Sequence, residues 1–158
     1  MTQARLDAQF VTLGLGAEVF AVPVACVREI LDYQPPSVLP EGPDYLLGLT
    51  DVRGRGTPTL DLRAKLGLAR VPPDAATRIL VLDVPAEERV LSLGLVADRV
   101  IEVATFEADA IEAPPDIGVP WRSDYIRGVV RREGAFVVIF DLPRLLTSHD
   151  TALLASAA

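Results

Sequence analysis

The stretch that decides the fold is Tyr45-Leu46-Leu47-Gly48 followed by Asp61-Leu62-Arg63-Ala64-Lys65-Leu66, because the chain contains a second version of it. The second version begins with Tyr125-Ile126-Arg127-Gly128 and ends with Asp141-Leu142-Pro143-Arg144-Leu145-Leu146. The two versions align without a gap, so that Tyr45 matches Tyr125 and Asp61 matches Asp141 in one register. A repeat of this kind indicates two structural units of the same architecture.

The repeat also extends upstream of this stretch. Val27-Arg28-Glu29-Ile30 aligns with Val100-Ile101-Glu102-Val103 in a second, slightly shifted register, and each version follows an apolar run. Gly54 matches Gly134 at a predicted hairpin turn. The two registers differ by the length of one loop, so a single ancestral unit accounts for both halves.

Short apolar runs predict an all-β fold with short helices. Thirteen prolines and eleven glycines interrupt the chain, which favours many short strands over a helix bundle. Residues 9–15 and 19–22 flank a turn and indicate a hairpin, whereas Val24 to Leu31 is compatible with a helical turn or a strand. Further strands are predicted at 46–49, 57–60, 78–84, 90–96, 99–103, 126–130 and 135–140.

Each half is predicted to form a small barrel of short strands. The first barrel covers about residues 8–70 and the second about 77–147, with strand exchange between them allowed. Closing each sheet removes exposed edges, and two units this small gain stability by packing together around a groove. Short helices are predicted at 62–66, at 142–146 and in the C-terminal segment 148–158.

The composition excludes several classes of protein. Half of the 158 residues are hydrophobic, so the chain can bury a core. The net charge of −7 and the 6% aromatic content argue against a small barrel that binds oligonucleotides, which stays as an alternative. No apolar run approaches the roughly 18 residues of a membrane span, and no secretory signal opens the chain, so we expect a cytoplasmic protein.

Few side chains offer catalytic chemistry. His149 and Cys26 are the only residues of their types, so neither a zinc site nor an internal disulfide is expected. Asp61 and Asp141 each precede leucine and a short helix, which predicts two N-caps rather than a carboxylate pair. We therefore expect no enzymatic activity, no metal and no cofactor. An enzyme with an unusual site remains the alternative.

Several other residues favour recognition over catalysis. Arg53 and Arg55 flank a tight turn, where a guanidinium either forms forked hydrogen bonds with a partner or is simply solvated. The segment Val27 to Ile30 combines an acid with apolar neighbours, which suits a recognition surface or a core strand with a solvated glutamate. Trp121, the only tryptophan, is either an exposed anchor or a lid over the second core.

The order of these segments resembles that of the CheW-like chemotaxis coupling proteins. The resemblance covers essentially the whole chain and is carried by the ordered set rather than by any one motif. It implies two interlocked five-stranded SH3-like barrels around a hydrophobic groove, which agrees with the repeat. The matching segments are 10–13, 19–24, 27–30, 48–54, 58–63, 94–98, 111–115, 125–128 and 141–142.

The resemblance further implies a non-catalytic adaptor. Such an adaptor joins the cytoplasmic hairpin tip of a chemoreceptor to the regulatory domain of a CheA-type histidine kinase and so controls kinase autophosphorylation. It implies a chain that is monomeric alone and becomes part of membrane-associated receptor arrays, without nucleic acid and without inserting into the membrane. A related scaffold in a non-flagellar pathway is the alternative.

The resemblance also assigns residues to the two partners. The receptor-facing residues are Val27, Glu29, Ile30, Arg53, Gly54 and Val100, and the kinase-facing residues are Gly48, Arg55 and Gly56. One departure concerns Arg55-Gly56-Thr57, which stands where the family has an apolar strand. The added charge and glycine predict a loosened start of that strand.

Overall fold

A computed structural model describes residues 9–40, 42–86, 88–113, 125–146 and 150. These residues form ten β-strands, two short α-helices and two 3₁₀ turns, at Val24–Cys26 and Ala108–Ala110. The strands are β1 (Gln9–Leu15), β2 (Glu18–Pro23), β3 (Val27–Asp32), β4 (Leu46–Val52), β5 (Arg55–Asp61), β6 (Arg78–Ala86), β7 (Arg89–Ala97), β8 (Arg99–Thr105), β9 (Ile126–Arg132) and β10 (Ala135–Phe140), and the helices are α1 (Leu62–Lys65) and α2 (Leu142–Leu145). The all-β prediction with short helices is confirmed.

The strands form two five-stranded sheets. The terminal sheet has the order β8-β1-β2-β10-β9, and the central sheet has the order β3-β6-β7-β5-β4. Both hairpin pairs β1–β2 and β6–β7 are antiparallel, but each hairpin also pairs in parallel with a distant strand, β2 with β10 and β7 with β5. The architecture is therefore that of two interlocked SH3-like barrels.

The two segments predicted to form the barrels, 8–70 and 77–147, exchange strands, which the sequence analysis allowed. Their boundaries separate the two repeats, but the first hairpin of each repeat joins the sheet built by the rest of the other repeat. The reason is the parallel pairing, which places Ala21 opposite Ile139 and Gly94 opposite Thr59. Each barrel thus contains strands from both halves of the sequence.

The repeat is visible in the hydrogen bonds. The amide of Asp61 donates to the carbonyl of Tyr45 at 2.8 Å, and the amide of Asp141 donates to the carbonyl of Tyr125 at 2.7 Å. Both aspartates are N-caps, as predicted: Asp61 accepts from the amide of Arg63 at 3.1 Å, and Asp141 accepts from the amide of Arg144 at 3.2 Å. Aspartate therefore recurs because its side chain caps the equivalent helix in each repeat, and the backbone carbonyl of the preceding tyrosine position makes the same contact in both.

The turns between β4 and β5 and between β9 and β10 also have the same conformation. Arg53 and Gly54 have φ of 53° and 83°, and Glu133 and Gly134 have φ of 52° and 78°. Positive φ at both central residues matches the twist of a tight two-residue hairpin. Pairing with β4 starts at Arg55 without a break, so the predicted loosening of this strand is wrong.

The hydrophobic core has two parts. The larger part lies between the sheets and includes Leu13, Leu80 and Phe140, all almost fully buried. The smaller part belongs to the terminal sheet and includes Phe10 and Phe106, whose rings stack at 5.5 Å. The two barrels therefore share their main core, as expected for small units that pack together.

Some sequence-based expectations are decided by the structure and others lie outside the described residues. Val24 to Leu31 combines both predicted possibilities, a 3₁₀ turn followed by β3. Trp121, His149 and the C-terminal segment 148–158, apart from Asp150, lie outside the described residues. Among the described helices, none has the length and apolar character needed to cross a membrane.

Candidate partner-binding site

An ion pair joins β3 to the turn between β4 and β5. Nε of Arg53 donates to Oε2 of Glu29 at 2.9 Å, although the two residues are 24 positions apart. The Arg53 side chain is 80% exposed and that of Glu29 is 19% exposed. The carboxylate is thus partly shielded, whereas most of the guanidinium faces solvent with donors left for a partner.

The turn that presents Arg53 is held by the side chain of Asp51, which lies just before it. The amide of Gly54 donates to Oδ1 of Asp51 at 2.9 Å, which fixes the turn at the point where the chain adopts positive φ. Ile30, next to Glu29 on β3, is 41% exposed. Because consecutive side chains of a strand project to opposite faces, Ile30 lies on the face of β3 opposite to Glu29. Five described residues predicted for the receptor-facing surface, Glu29, Ile30, Arg53, Gly54 and Val27, lie on β3 or on this turn.

Val100 lies in the other repeat, at the position equivalent to Val27. Both valines are partly buried and pack against the core shared by the two sheets. Both also stand in strands at the edges of their sheets, β3 and β8. They border the region between the barrels, where the sequence predicts a hydrophobic groove.

The residues predicted to face the kinase have different environments. Arg55 and Gly56 are exposed at the start of β5, opposite Val52 and Asp51 of β4. Gly48 is buried, and Leu49 beside it forms a bridge with Ser37. Gly48 allows a close backbone approach to Ser37, and its assignment to the kinase-facing surface stays a prediction.

The site has no arrangement typical of catalysis. Burial, and secondarily the carboxylate of Asp83, raises the pKa of the Cys26 thiol, which disfavours the nucleophilic thiolate. Across residues 9–40, 42–86, 88–113, 125–146 and 150, no three His, Cys, Asp or Glu side chains cluster as metal ligands do.

Sequence reasoning missed two charged clusters. Lys65 and Asp150 form an ion pair with side chains only 4% and 2% exposed, and the Tyr45 hydroxyl also donates to Asp150. Asp98 accepts from Arg63 at 2.6 Å and from the amide of Gly16 at 2.7 Å. Neither cluster has a signal in the sequence, because each aspartate is 35 to 105 residues away from the groups that donate to it.

Exposed apolar side chains of the second repeat were also missed. Ile101 and Val103 on β8 and Phe136 on β10 are large hydrophobic residues at the surface. Val103 was detectable, since the alignment of Val27 with Val100 makes it the counterpart of Ile30. Phe136 was not, because the alignment of Tyr45 with Tyr125 gives it Gly56 as its counterpart.

Two interlocked five-stranded barrels, with an exposed charged pair at the edge of one of them, define the class of domain to which this chain is compared. The profile of the CheW-like domain matches residues 9–150. The chain belongs to the CheW-like family.

Individual relatives agree with this membership. The chain is 30% identical over 142 residues to "Chemotaxis protein CheW" of Rhizobium meliloti, covering 90% of this chain and 89% of the relative. It is 29% identical over 150 residues to the protein of the same name from Klebsiella aerogenes, covering 95% and 88%. The scaffolding protein TtCheW from Thermoanaerobacter tengcongensis has the same fold, with a TM-score of 0.78 and 22% identity, covering 91% of this chain and 95% of that one.

Proposed function

We propose that this protein is a non-catalytic adaptor of bacterial chemosensory signalling. It couples the cytoplasmic tips of chemoreceptors to the regulatory domain of a CheA-type histidine kinase and so controls autophosphorylation. The observation that carries the proposal is the Glu29–Arg53 pair, with its exposed guanidinium, on the surface of a CheW-like domain. The adaptor is cytoplasmic and is recruited to membrane-associated receptor arrays.

The receptor-facing surface of the proposed adaptor consists of Glu29, Ile30, Arg53 and Gly54, extended by Val27 and Val100 towards the region between the barrels. An exposed guanidinium with free donors suits carboxylates or the carbonyls at the end of a receptor helix. The partly exposed apolar residues suit the apolar stripe of the same helix. The receptor site thus pairs charge recognition with apolar contact.

The kinase-facing surface is assigned to Arg55 and Gly56. Both are exposed, and Gly56 leaves room for a partner because it has no side chain. Gly48 supports this surface from inside the sheet. The two assigned surfaces adjoin at the turn between β4 and β5, and a molecule that holds both partners at once raises the avidity of an extended assembly.

The mechanism follows from linkage. A coupling protein changes kinase activity only if it binds the active and inactive receptor–kinase arrangements with different free energy. Individual contacts of micromolar strength, about −8 kcal/mol each, are sufficient when both partners are held. No chemical step on this chain is needed.

The alternative is the same adaptor role in a non-flagellar chemosensory pathway. Its support comes from relatives with other names: the chain is 31% identical to "Protein FrzA" of Myxococcus xanthus and 29% identical to "Protein PilI" of Pseudomonas aeruginosa. The genes that neighbour this one, and the output that a deletion impairs, distinguish the two pathways.

The test is a reconstituted kinase assay. The full chain is titrated into a CheA-type kinase with receptor-bearing membranes, and phosphate incorporation into the kinase is measured. Arg53→Ala and Glu29→Lys are each expected to raise the half-maximal concentration about tenfold, equivalent to about 1.4 kcal/mol. Glu133→Ala, in the equivalent turn of the other repeat, serves as the control and is expected to behave as wild type.

The fold is monitored in parallel by circular dichroism and urea unfolding. An exposed ion pair contributes about 1 kcal/mol or less to stability, so both variants are expected to remain folded. Unchanged stimulation by both variants would remove these residues from the receptor site. If the wild-type chain neither binds nor stimulates its cognate kinase in the presence of receptor, the proposed function itself is wrong.

A further inference from the structure

A β-bulge lies immediately before Glu29. In the pairing of β3 with β6, Val27 is opposite Leu82 and Glu29 is opposite Val81, so Arg28 is an extra residue without a partner in the ladder. A bulge re-aims the side chains around it. The direction in which the Glu29 side chain projects from β3 therefore depends on the position of Arg28.

Arg28 is held by a network that crosses three strands. Its guanidinium donates to both carboxylate oxygens of Asp83 on β6, at 3.1 Å and 2.5 Å, and to the hydroxyl of Ser92 on β7 at 3.1 Å. Ser92 in turn donates to Asp83 at 2.7 Å. Partial burial raises the pKa of Asp83, but these hydrogen bonds outweigh it and hold the pKa below its ordinary value. A forked arrangement of this kind fixes the guanidinium in one plane.

The second repeat has the same bulge without the network. In the pairing of β8 with β1, Val100 is opposite Leu13 and Glu102 is opposite Thr12, so Ile101 is the extra residue. The pair equivalent to Asp83 and Ser92 is Gly14 and Val19, which offers no polar side chain. The bulge therefore forms without the network, and the network has another role in the first repeat.

The two equivalent glutamates show what that role is. Glu29 is 19% exposed and lies 2.9 Å from Arg53. Glu102 is 51% exposed and lies 3.5 Å from Arg132. The glutamate that follows the networked bulge is thus more shielded and more closely paired than the one that follows the apolar bulge.

We infer that Arg28 is a positioning residue for receptor recognition: clamped by Asp83 and Ser92, it fixes the bulge so that Glu29 holds Arg53 in the orientation the receptor meets. The inference rests on the proposed function. Arg28 acts through Glu29 and does not itself contact the receptor.

The experiment is a double-mutant cycle in the receptor-dependent kinase assay, with the full chain, a CheA-type kinase and receptor-bearing membranes. Arg28→Ala is expected to raise the half-maximal concentration about fivefold, as is Asp83→Asn, which removes the clamp but keeps the arginine. Arg28→Lys is expected to behave like Arg28→Ala, since an ammonium keeps the charge but cannot form the fork. In a Glu29→Ala background, Arg28→Ala is expected to have no further effect.

The matched control is Arg78→Ala. Arg78 forms an ion pair with Asp32 at 3.5 Å and so links the same two strands, β3 and β6, away from the bulge. It is expected to leave the half-maximal concentration unchanged, which separates positioning from a general loss of strand contacts.

The outcomes distinguish this inference from the proposed function. If Glu29→Ala weakens stimulation but Arg28→Ala does not, or if the two effects add, positioning through Glu29 is wrong while the receptor site stands. Full activity of Arg28→Lys also overturns the inference, because it indicates a direct charge contact. If neither Glu29→Ala nor Arg28→Ala has an effect, both the receptor site and the inference are wrong.

Discussion

The two repeats share a backbone plan but place charge differently. The shared positions are those that set conformation: tyrosine and aspartate between strand and helix, and glycine in the turn after β4 or β9. At the first turn position the first repeat has Arg53 and the second has Glu133. In the short helices, the first repeat has Lys65 where the second has the buried Leu145. Residues that determine the backbone conformation are the same in both repeats. Residues that differ between the repeats contribute to stability and to recognition.

The largest expected effect concerns the buried charge that only the first repeat has. Asp150→Ala leaves Lys65 buried without its main partner, and we expect the free energy of unfolding to fall by about 3 to 5 kcal/mol. Urea unfolding at pH 7 measures this, with Asp109→Ala, an exposed aspartate, as the control.

The double variant Lys65→Leu with Asp150→Leu makes the first repeat resemble the second at this point. Because an apolar pair carries no desolvation cost, we expect it to recover to within about 1 kcal/mol of wild type or to exceed it. A loss as large as that of Asp150→Ala would mean that the pair is not the source of the effect.

The next effect compares two equivalent glycines. A Cβ at Gly48 would lie 1.9 Å from the carbonyl oxygen of Ser37, and φ there is +145°. A Cβ at Gly128 would lie 2.6 Å from a methyl group of Ile111 and 2.8 Å from the carbonyl oxygen of Glu112. We expect Gly48→Ala to cost about 2 to 4 kcal/mol, from backbone strain and a steric clash, and Gly128→Ala about 1 to 2 kcal/mol. Equal costs in thermal unfolding would contradict this difference.

A smaller effect concerns Asp98, whose counterpart in the first repeat is Ala25. The hydrogen bond from Arg63, aided by the amide of Gly16, lowers the pKa of Asp98 despite partial burial. We expect Asp98→Asn to lose about 1.5 to 3 kcal/mol at pH 7. A lowered folded-state pKa gives stability that is complete above the ordinary value of about 4 and is lost as pH falls through the folded value.

The difference between wild type and Asp98→Asn should therefore narrow below about pH 4. Urea unfolding at neutral pH and at two acidic values, one near and one below the ordinary pKa of aspartate, checks this. A constant difference across these conditions would show that the charge of Asp98 is not responsible.

The smallest effect concerns the two turns. Arg53 and Glu133 both have positive φ, which asparagine tolerates better than either residue. We expect Glu133→Asn to raise stability by about 0.5 kcal/mol. Arg53→Asn is expected to gain less, because it also removes the ion pair with Glu29, and only Arg53→Asn is expected to weaken receptor-dependent stimulation. A fall in thermal midpoint on Glu133→Asn would contradict this conformational argument.

The sequence was most informative where its residues determine local conformation. The capping aspartates, the glycine turns and the alternating apolar runs all act within a few residues, so Asp61, Asp141 and the strands were predictable. The exchange of hairpins followed from the family resemblance and not from local residue patterns, because the pairing of Ala21 with Ile139 depends on which sheet offers a free edge. The networks of Arg28 with Asp83 and of Lys65 with Asp150 were also hidden, since each joins strands or helices that only the tertiary fold brings together.

The exchange of hairpins has a consequence for the order in which the protein is completed during synthesis. Every strand of the central sheet lies between Val27 and Ala97, so that sheet has all its members once Ala97 has emerged. The terminal sheet is complete only after Ile139 of β10 has been synthesised, far later than its partner Ala21. Pairing over such separations is slow, because closing a long loop costs entropy before the contacts between the strands form. The β1–β2 hairpin is synthesised first and is therefore among the last elements to pair with its parallel partner, β10. The central barrel is complete before that pairing forms.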